Sequence, residues 1–278
     1  MGLVVEDDGW RIPDEVWGQM EPLLPERPEH PLGCHNPRVP DRAAMNAILL
    51  VLRTGMQWNA LNATGICSCS SAYRRFREWV DAGVFLAFWR QGLLTYDDQV
   101  GIEWEWLAMD GALGKAPLGG ELTGPNPTDR AKRAKRSLLT EGKGVPIGIC
   151  PAGANRNDFK LTRATLESIP VERPEPTLAS PQGLCLDRGY DYNEVRELLD
   201  EFGFTAHIRG RGEEAQAIKH EAGFRARRWV VERTHSWLNR FRRILTRWEK
   251  RADTYLAMLH LACGLITWRA TNWGRLPE

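Results

Sequence analysis

A change of period after residue 100 constrains this chain most. Trp104, Trp106 and Ala108 alternate with Glu105, Leu107 and Met109 in a short strand that ends at Asp110-Gly111. The Gly- and Pro-rich stretch 114–127 reads as a loop. In SLLTEGKGVPIGI, Ser137 to Ile149, two apolar runs flank Glu141-Gly142-Lys143-Gly144, which is a hairpin signal. A helix over 158–169, a buried strand over 183–186 ending at Asp187, a helix over 193–202 and a strand over 204–208 follow, and helices fill the rest. Strands in succession, then helix and strand in alternation, predict an α/β domain with a mixed sheet.

The segment before residue 98 is helical throughout. Asp41 is placed to cap a helix carrying Ala44, Ile48, Val51 and Leu52 and ended by Gly55. Ser70 or Ser71 caps another carrying Tyr73, Phe76, Trp79 and Val80 and ended by Gly83, and a third helix runs over 84–94. The second helix presents Arg74, Arg75 and Arg77, which suits DNA contact in a helix-turn-helix. Its linker, with Trp58 and Leu61, is longer than the turn of that motif, so a plain bundle with a basic face fits equally well. We expect a helical domain over 1–98 and a second domain over 99–278.

Lys plus Arg number 37 and Asp plus Glu 36, so net charge says nothing about partners. Distribution says more: residues 203–251 hold thirteen Lys or Arg against five acids, which suggests a face turned to a polyanion. The six cysteines (34, 67, 69, 150, 185, 263) include no pair with a two-residue spacer answered by a second, so reduced thiols are expected and a zinc site is not. No apolar run approaches the roughly 18 residues of a membrane span, and the chain reads as soluble and cytoplasmic.

The segment RWVVERTHSWLNRFRRI, Arg228 to Ile244, has five arginines and one carboxylate, Glu232. Val230, Trp237, Phe241, Ile244 and Trp248 recur as one apolar helical stripe, and Arg225, Arg228, Glu232, Ser236, Asn239 and Arg243 form a second, polar one. Alone, this fits a solvated face on which Glu232 pairs with Arg228. Asp110 and Asp187 change the balance. Each follows an apolar strand, where side chains point into the crevice in which open α/β sheets bind ligands, although either alone reads as a turn residue. Three carboxylates from two strands and a helix suit one or two hard divalent cations, Mg²⁺ or Mn²⁺. Such ions activate an attacking oxygen and stabilise a leaving one in phosphoryl displacement, while nearby arginines neutralise phosphate.

These blocks resemble those of a known family. MDGALGKAPLGGELTGPNPTDR, GANRND, LDRGYD and RWVVERTHSWLNRFRRI resemble, in order, the catalytic blocks of DDE transposases of the insertion sequence 5 family. DRAAMNAILLVLRTGMQWNAL, Asp41 to Leu61, resembles its N-terminal domain. The resemblance implies a ribonuclease-H-like mixed sheet flanked by helices, with a smaller all-helical domain before it. It implies Asp110, Asp187 and Glu232 as the metal-binding catalytic triad, with Mg²⁺ or Mn²⁺ as cofactor. It implies DNA partners, namely terminal inverted repeats and target DNA, and a homodimer that cuts at the element's ends and joins them to the target. The interval from Asp187 to Glu232, 232 − 187 = 45 residues, leaves room for helix, strand and helix but no large insertion.

The family's signature places a tyrosine seven residues before the glutamate, an arginine four before and a lysine seven after. Arg228 matches, whereas Arg225 and Asn239 replace the other two. DNA contacts are expected from Arg225, Arg228, Asn239 and Arg243, from Lys115, Arg133 and Arg136 with neighbouring Arg130, Lys132 and Lys135, and from Arg74 and Arg75. Asn155 and Asp158 are expected to cap the helix that follows, and secondarily to support the metal site. Trp229 or Trp237 could stack on a flipped base, and His235, three residues after Glu232, has no role of its own in this reading. Two other readings stay open: an inactive relative that regulates by binding DNA, and a nuclease without strand transfer.

Overall fold

The computed structural model describes residues 10–26, 38–208 and 229–271. The N-terminal part comprises α1 (Asp14–Met20), α2 (Asp41–Thr54), α3 (Cys69–Asp81) and α4 (Val84–Val100). Pro40 is the residue before α2, and Asp41, expected as its cap, is the first helical residue. Ser68 rather than Ser70 or Ser71 caps α3, its hydroxyl accepting from the Ser71 amide. Gly55 ends α2 at φ 70°, a left-handed conformation that only glycine adopts cheaply. Fourteen residues separate α2 from α3 and include a 3₁₀ turn, Trp58–Ala63. Trp58 fills the angle between the helices, its ring 5.2 Å from Tyr73 and 5.4 Å from Phe76. This is a packed elbow, not the tight turn of a helix-turn-helix.

The sheet contains β1 (Trp106–Lys115), β2 (Gly124–Pro125), β3 (Lys132–Thr140), β4 (Pro146–Gly153), β5 (Gln182–Leu186) and β6 (Phe204–Ile208). β1, β3 and β4 form an antiparallel meander, with the expected hairpin between β3 and β4, and β2 shares an edge of β3 with β4. β5 lies parallel to β1 on its other side, and β6 parallel to β5. Short α5 (Thr162–Glu167) and α6 (Asn193–Glu201) connect these strands. The result is the ribonuclease-H-like mixed sheet flanked by helices. The hairpin is fixed from within by Glu141, fully buried, whose carboxylate accepts from the Lys143 and Val145 amides at 2.8 and 2.9 Å.

Two expectations change. β1 runs on to Lys115, beyond the strand anticipated at Asp110, because β3 supplies a partner all the way: Asp110 pairs with Leu138 and Lys115 with Arg133. What stops near Asp110 is the parallel ladder to β5, last paired at Ala108 and Cys185. The C-terminal helix is also divided. α7 (Trp229–Arg240) ends, Phe241 turns at ψ 100°, and short α8 (Arg242–Leu245) leads to Thr246, which bridges to Lys115. Trp248 thus leaves the apolar stripe, and Arg243 leaves the polar one.

α9 (Ala252–Ala270) is buried on almost every side between α4 and the sheet. Gly92 and Gly264 allow this closeness, since a Cβ at either would stand 2.9 Å from Trp268 or 2.7 Å from Phe88. One hydrophobic cluster extends from Ile12 through α4 and α9 to β1, β3 and β5. Among the described residues no helix is long and apolar enough to cross a membrane. A buried ion pair reinforces the joint. Arg243 Nε donates to Glu249 at 2.5 Å and its Nη1 to the Met56 carbonyl at 3.0 Å, both side chains under a tenth exposed. Glu249→Ala strands that guanidinium in a dry site, so urea unfolding should show a loss of about 3–5 kcal/mol, while the Arg243→Met/Glu249→Leu double variant loses much less. Equal losses in the two would contradict this account of the joint.

Candidate active site

Asp110 lies on β1 just beyond the last residue paired to β5, and Asp187 follows β5 directly. Both strands run parallel there, so both carboxylates emerge at the carboxyl end of the parallel pair. Local amides hold each one: Gly111 N–H donates to Asp110 Oδ1 at 2.8 Å, and Gly189 N–H to Asp187 Oδ1 at 2.8 Å. The second bond shapes the turn Arg188–Tyr190, for which Asp187 is the cap. Glu232 stands exposed on the first turn of α7. That helix is seated on the hairpin by Thr234, whose hydroxyl donates to the Gly144 carbonyl at 2.7 Å, and by Arg233, which donates to the Lys143 carbonyl.

Electrostatics tie these acids together. Burial lifts the Asp110 carboxyl from the ordinary aspartate value to about 6, the Gly111 amide opposes this, and the negative charges of Asp187, Asp158 and Glu232 add to the rise. The charges of Asp187 and Glu232 are thus felt at Asp110, and a further acid, Asp158, is felt there too. Asp158 does not cap its helix. Its Oδ2 accepts from Lys135 Nζ at 2.9 Å, and its Oδ1 lies 1.8 Å from where a Cβ on residue 111 would stand, so a side chain there would push the Asp158 carboxylate from its place. That Oδ1 is buried and has no hydrogen-bond partner among the described residues. Asn155 packs its amide against Gly124 and Gly153 instead, away from any capping role.

Tyr190 and His235 complete the surroundings. Tyr190 is 1 % exposed, and burial followed by the charges of Asp158, Asp110 and Asp187 pushes its hydroxyl well above the ordinary tyrosine range. Burial, then the Arg136 charge, lowers His235 to about 3, leaving a neutral ring beside the Asp110 backbone. The sequence flagged Asp158 first as a helix cap and second as support for the metal site, and gave Tyr190 no role. The LDRGYD block was the signal available for Tyr190.

The expected DNA contacts divide into three groups. Arg225 and Arg228 lie outside the described residues. Lys115 and Arg74 are exposed; Arg75 is bound to Glu78 at 2.8 Å and Arg133 to Asp129 at 2.5 Å. The third group turns inward and corrects the expectation. Arg136 is 2 % exposed and donates to Asn239 Oδ1, Lys135 is buried between Asp158 and the Arg156 carbonyl, and Arg243 is locked to Glu249. Strand and helix burial on both sides leaves these cations no path to a phosphate. Arg233 sits 4.5 Å from the Trp229 ring and 4.8 Å from the Trp237 ring, so one face of each indole is already covered.

The carboxylate oxygens gathered at Asp110 include Asp158 Oδ1, buried and without a hydrogen-bond partner among the described residues, and this chemistry fits a hard divalent cation. Among the described residues no three such side chains already converge on one ion's coordination sphere.

Residues 12–89 match a family model described as a putative transposase of the IS4/5 family, and residues 184–269 match a transposase DDE domain. The second match includes Asp187 and Glu232. The chain is 41 % identical over 149 residues to a putative transposase for insertion sequence element IS402 of Burkholderia cepacia, covering 52 % of this chain and 68 % of that protein. It is 45 % identical over 78 residues to an uncharacterized 16.2 kDa protein of the same element, covering 27 % of this chain and 52 % of that protein. Among solved structures, a piggyBac transposase synaptic complex with hairpin DNA aligns over 92 % of this chain and 70 % of that one at 10 % identity and a TM-score of 0.43. A Mos1 mariner paired end complex with Mn aligns over 89 % and 83 % at 13 % identity and a TM-score of 0.29. The extent of the IS402 match and the two family models settle the matter: the chain belongs to the IS4/5 family of insertion-sequence transposases and carries a DDE domain.

Proposed function

We propose that this transposase binds the terminal inverted repeats of its own element, cuts DNA there and joins the freed ends to target DNA. The observation that carries the reading is the crowding at Asp110, where three other acids help to hold a half-buried carboxyl near neutrality at the open end of the parallel strands. Such crowding disfavours a purely structural role and is relieved by a cation. Asp110, Asp187 and Glu232 are the residues that would hold divalent ions, Mg²⁺ or Mn²⁺, with Asp158 alongside. Bound there, the ions supply Lewis-acid activation of the attacking and leaving oxygens of a phosphodiester. The chain's own part is to aim these carboxylates and to hold the DNA backbone. Lys115 and Arg74 are exposed for that task, with Arg225 and Arg228 as further candidates. Pairing two ends calls for a homodimer around DNA. As proposed domains, the helical 1–98 recognises the ends and 99–278 does the chemistry.

The direct test is cleavage and joining of an end-bearing duplex with Mg²⁺ by native protein and by Asp187→Asn. Native protein should cut and join, and the variant should bind equally but leave the duplex intact. If native protein binds the duplex and never cuts it with any divalent ion, a regulatory role replaces this one. Binding should also weaken steeply with salt, roughly in proportion to the phosphates neutralised.

The Asp110 shift also predicts a stability effect. A carboxyl raised from 3.8 to about 6 in the folded protein penalises folding above that pH, and the penalty disappears as pH falls through the unfolded value. Metal-free Asp110→Asn should therefore be more stable than native protein at pH 8 by up to about 3 kcal/mol, with the gap closing toward pH 4. Thermal unfolding across that range checks it, and a variant less stable than native at pH 8 would contradict the shift.

A further inference from the structure

A chain of polar side chains joins β3, α7 and β1 behind the acids. Arg136 on β3 donates from Nη2 to Asn239 Oδ1 at 2.5 Å, from Nη1 to the Ile244 carbonyl at 3.4 Å and from Nε to His235 Nδ1 at 3.5 Å. A guanidinium has no acceptor, so His235 Nδ1 accepts and the ring hydrogen sits on Nε2. Nε2 then donates to the Asp110 carbonyl oxygen, 3.3 Å away. The other end of that peptide unit, Gly111 N–H, donates to Asp110 Oδ1. The peptide between residues 110 and 111 is thus held at both ends, by His235 on one and by the Asp110 carboxylate on the other. Glu232 is three residues before His235, one turn away on the same helix.

Space filling alone does not account for this arrangement. Among the described residues Arg136 meets only neutral partners, these three acceptors and the Tyr255 hydroxyl, and a buried guanidinium so satisfied costs more than a packed Leu or Met would. Asn239 stands where the family signature has a lysine, yet it faces Arg136 and shares the inward chain.

We propose that Arg136 and His235 are positioning residues that set Asp110 relative to Glu232 through the 110–111 peptide, with Asn239 holding the guanidinium in line. This rests on the reading of those acids as the metal-holding site. His235 carries the link: the helix bearing Glu232 meets the strand bearing Asp110 through its ring. Position 239 in this chain acts on the site from behind and contributes no direct phosphate contact.

The test uses the full-length protein with His235→Ala and His235→Gln, the latter able to donate to the Asp110 carbonyl through its side-chain amide. The first readout, free of catalysis, is hydrogen exchange at the Gly111 amide without metal. His235→Ala should speed it about tenfold, and His235→Gln should restore most of the protection. The second is Mn²⁺ titration by calorimetry, where His235→Ala should weaken binding about tenfold and His235→Gln far less. Native values for His235→Ala in both readouts overturn the proposal. So does an equal loss in both variants that tracks their melting temperatures, since that marks simple packing. If Gly111 exchange responds as expected but native protein binds no divalent ion, the link stands and the metal-site reading falls.

Discussion

Holding Asp110 half-buried in the field of Asp158, Asp187 and Glu232 costs desolvation and Coulomb energy. The surrounding structure is arranged to meet that cost. Asp110 surrenders part of its charge to burial, Lys135 neutralises Asp158, and local amides hold Asp110 and Asp187. Glu232 needs no such help because it is exposed, but the helix beneath it must be fixed, and Thr234 and His235 fix it. Each tie is neutral or internally compensated. The acids are therefore held by their supports and not by one another, as the proposed cation site requires.

The same logic explains where the cations went. A basic C-terminal half suggested a surface for polyanions, yet several of those residues build the interior. Arg247 is 1 % exposed and binds the carbonyls of Glu121, Leu122 and Glu249, pinning the loop before β2 to the segment after α8. Arg243 does the same between α8 and the elbow after α2. Arginine suits this work because its five donors can satisfy several carbonyls at once from one fixed plane. Among the described residues, exposed cations remain at positions such as Lys115, Arg74, Arg240 and Arg242.

Much of this was legible in the sequence. Period and caps found the helices and the β3–β4 hairpin, and the placement of Asp110 and Asp187 after apolar runs found the open end of the parallel pair. The break after Arg240 was not legible, since no Gly or Pro marks it. A bridge between Thr246 and Lys115, distant in sequence, accompanies the turn and fixes the chain beyond it. The burial of Lys135 and Arg136 was equally hidden, because a basic strand reads as exposed until both of its faces are known to be covered. Asp158 was noticed for its turn, but its approach to Asp110 depends on the missing side chain of Gly111.

The central claim, that these acids hold a divalent ion, is tested most directly by Mn²⁺ binding to the full-length protein followed by electron paramagnetic resonance, with Asp110→Asn for comparison. The account predicts that native protein binds Mn²⁺, that Mg²⁺ displaces it, and that the variant binds about tenfold more weakly or worse. Equal binding by both proteins, or none by either, would contradict it.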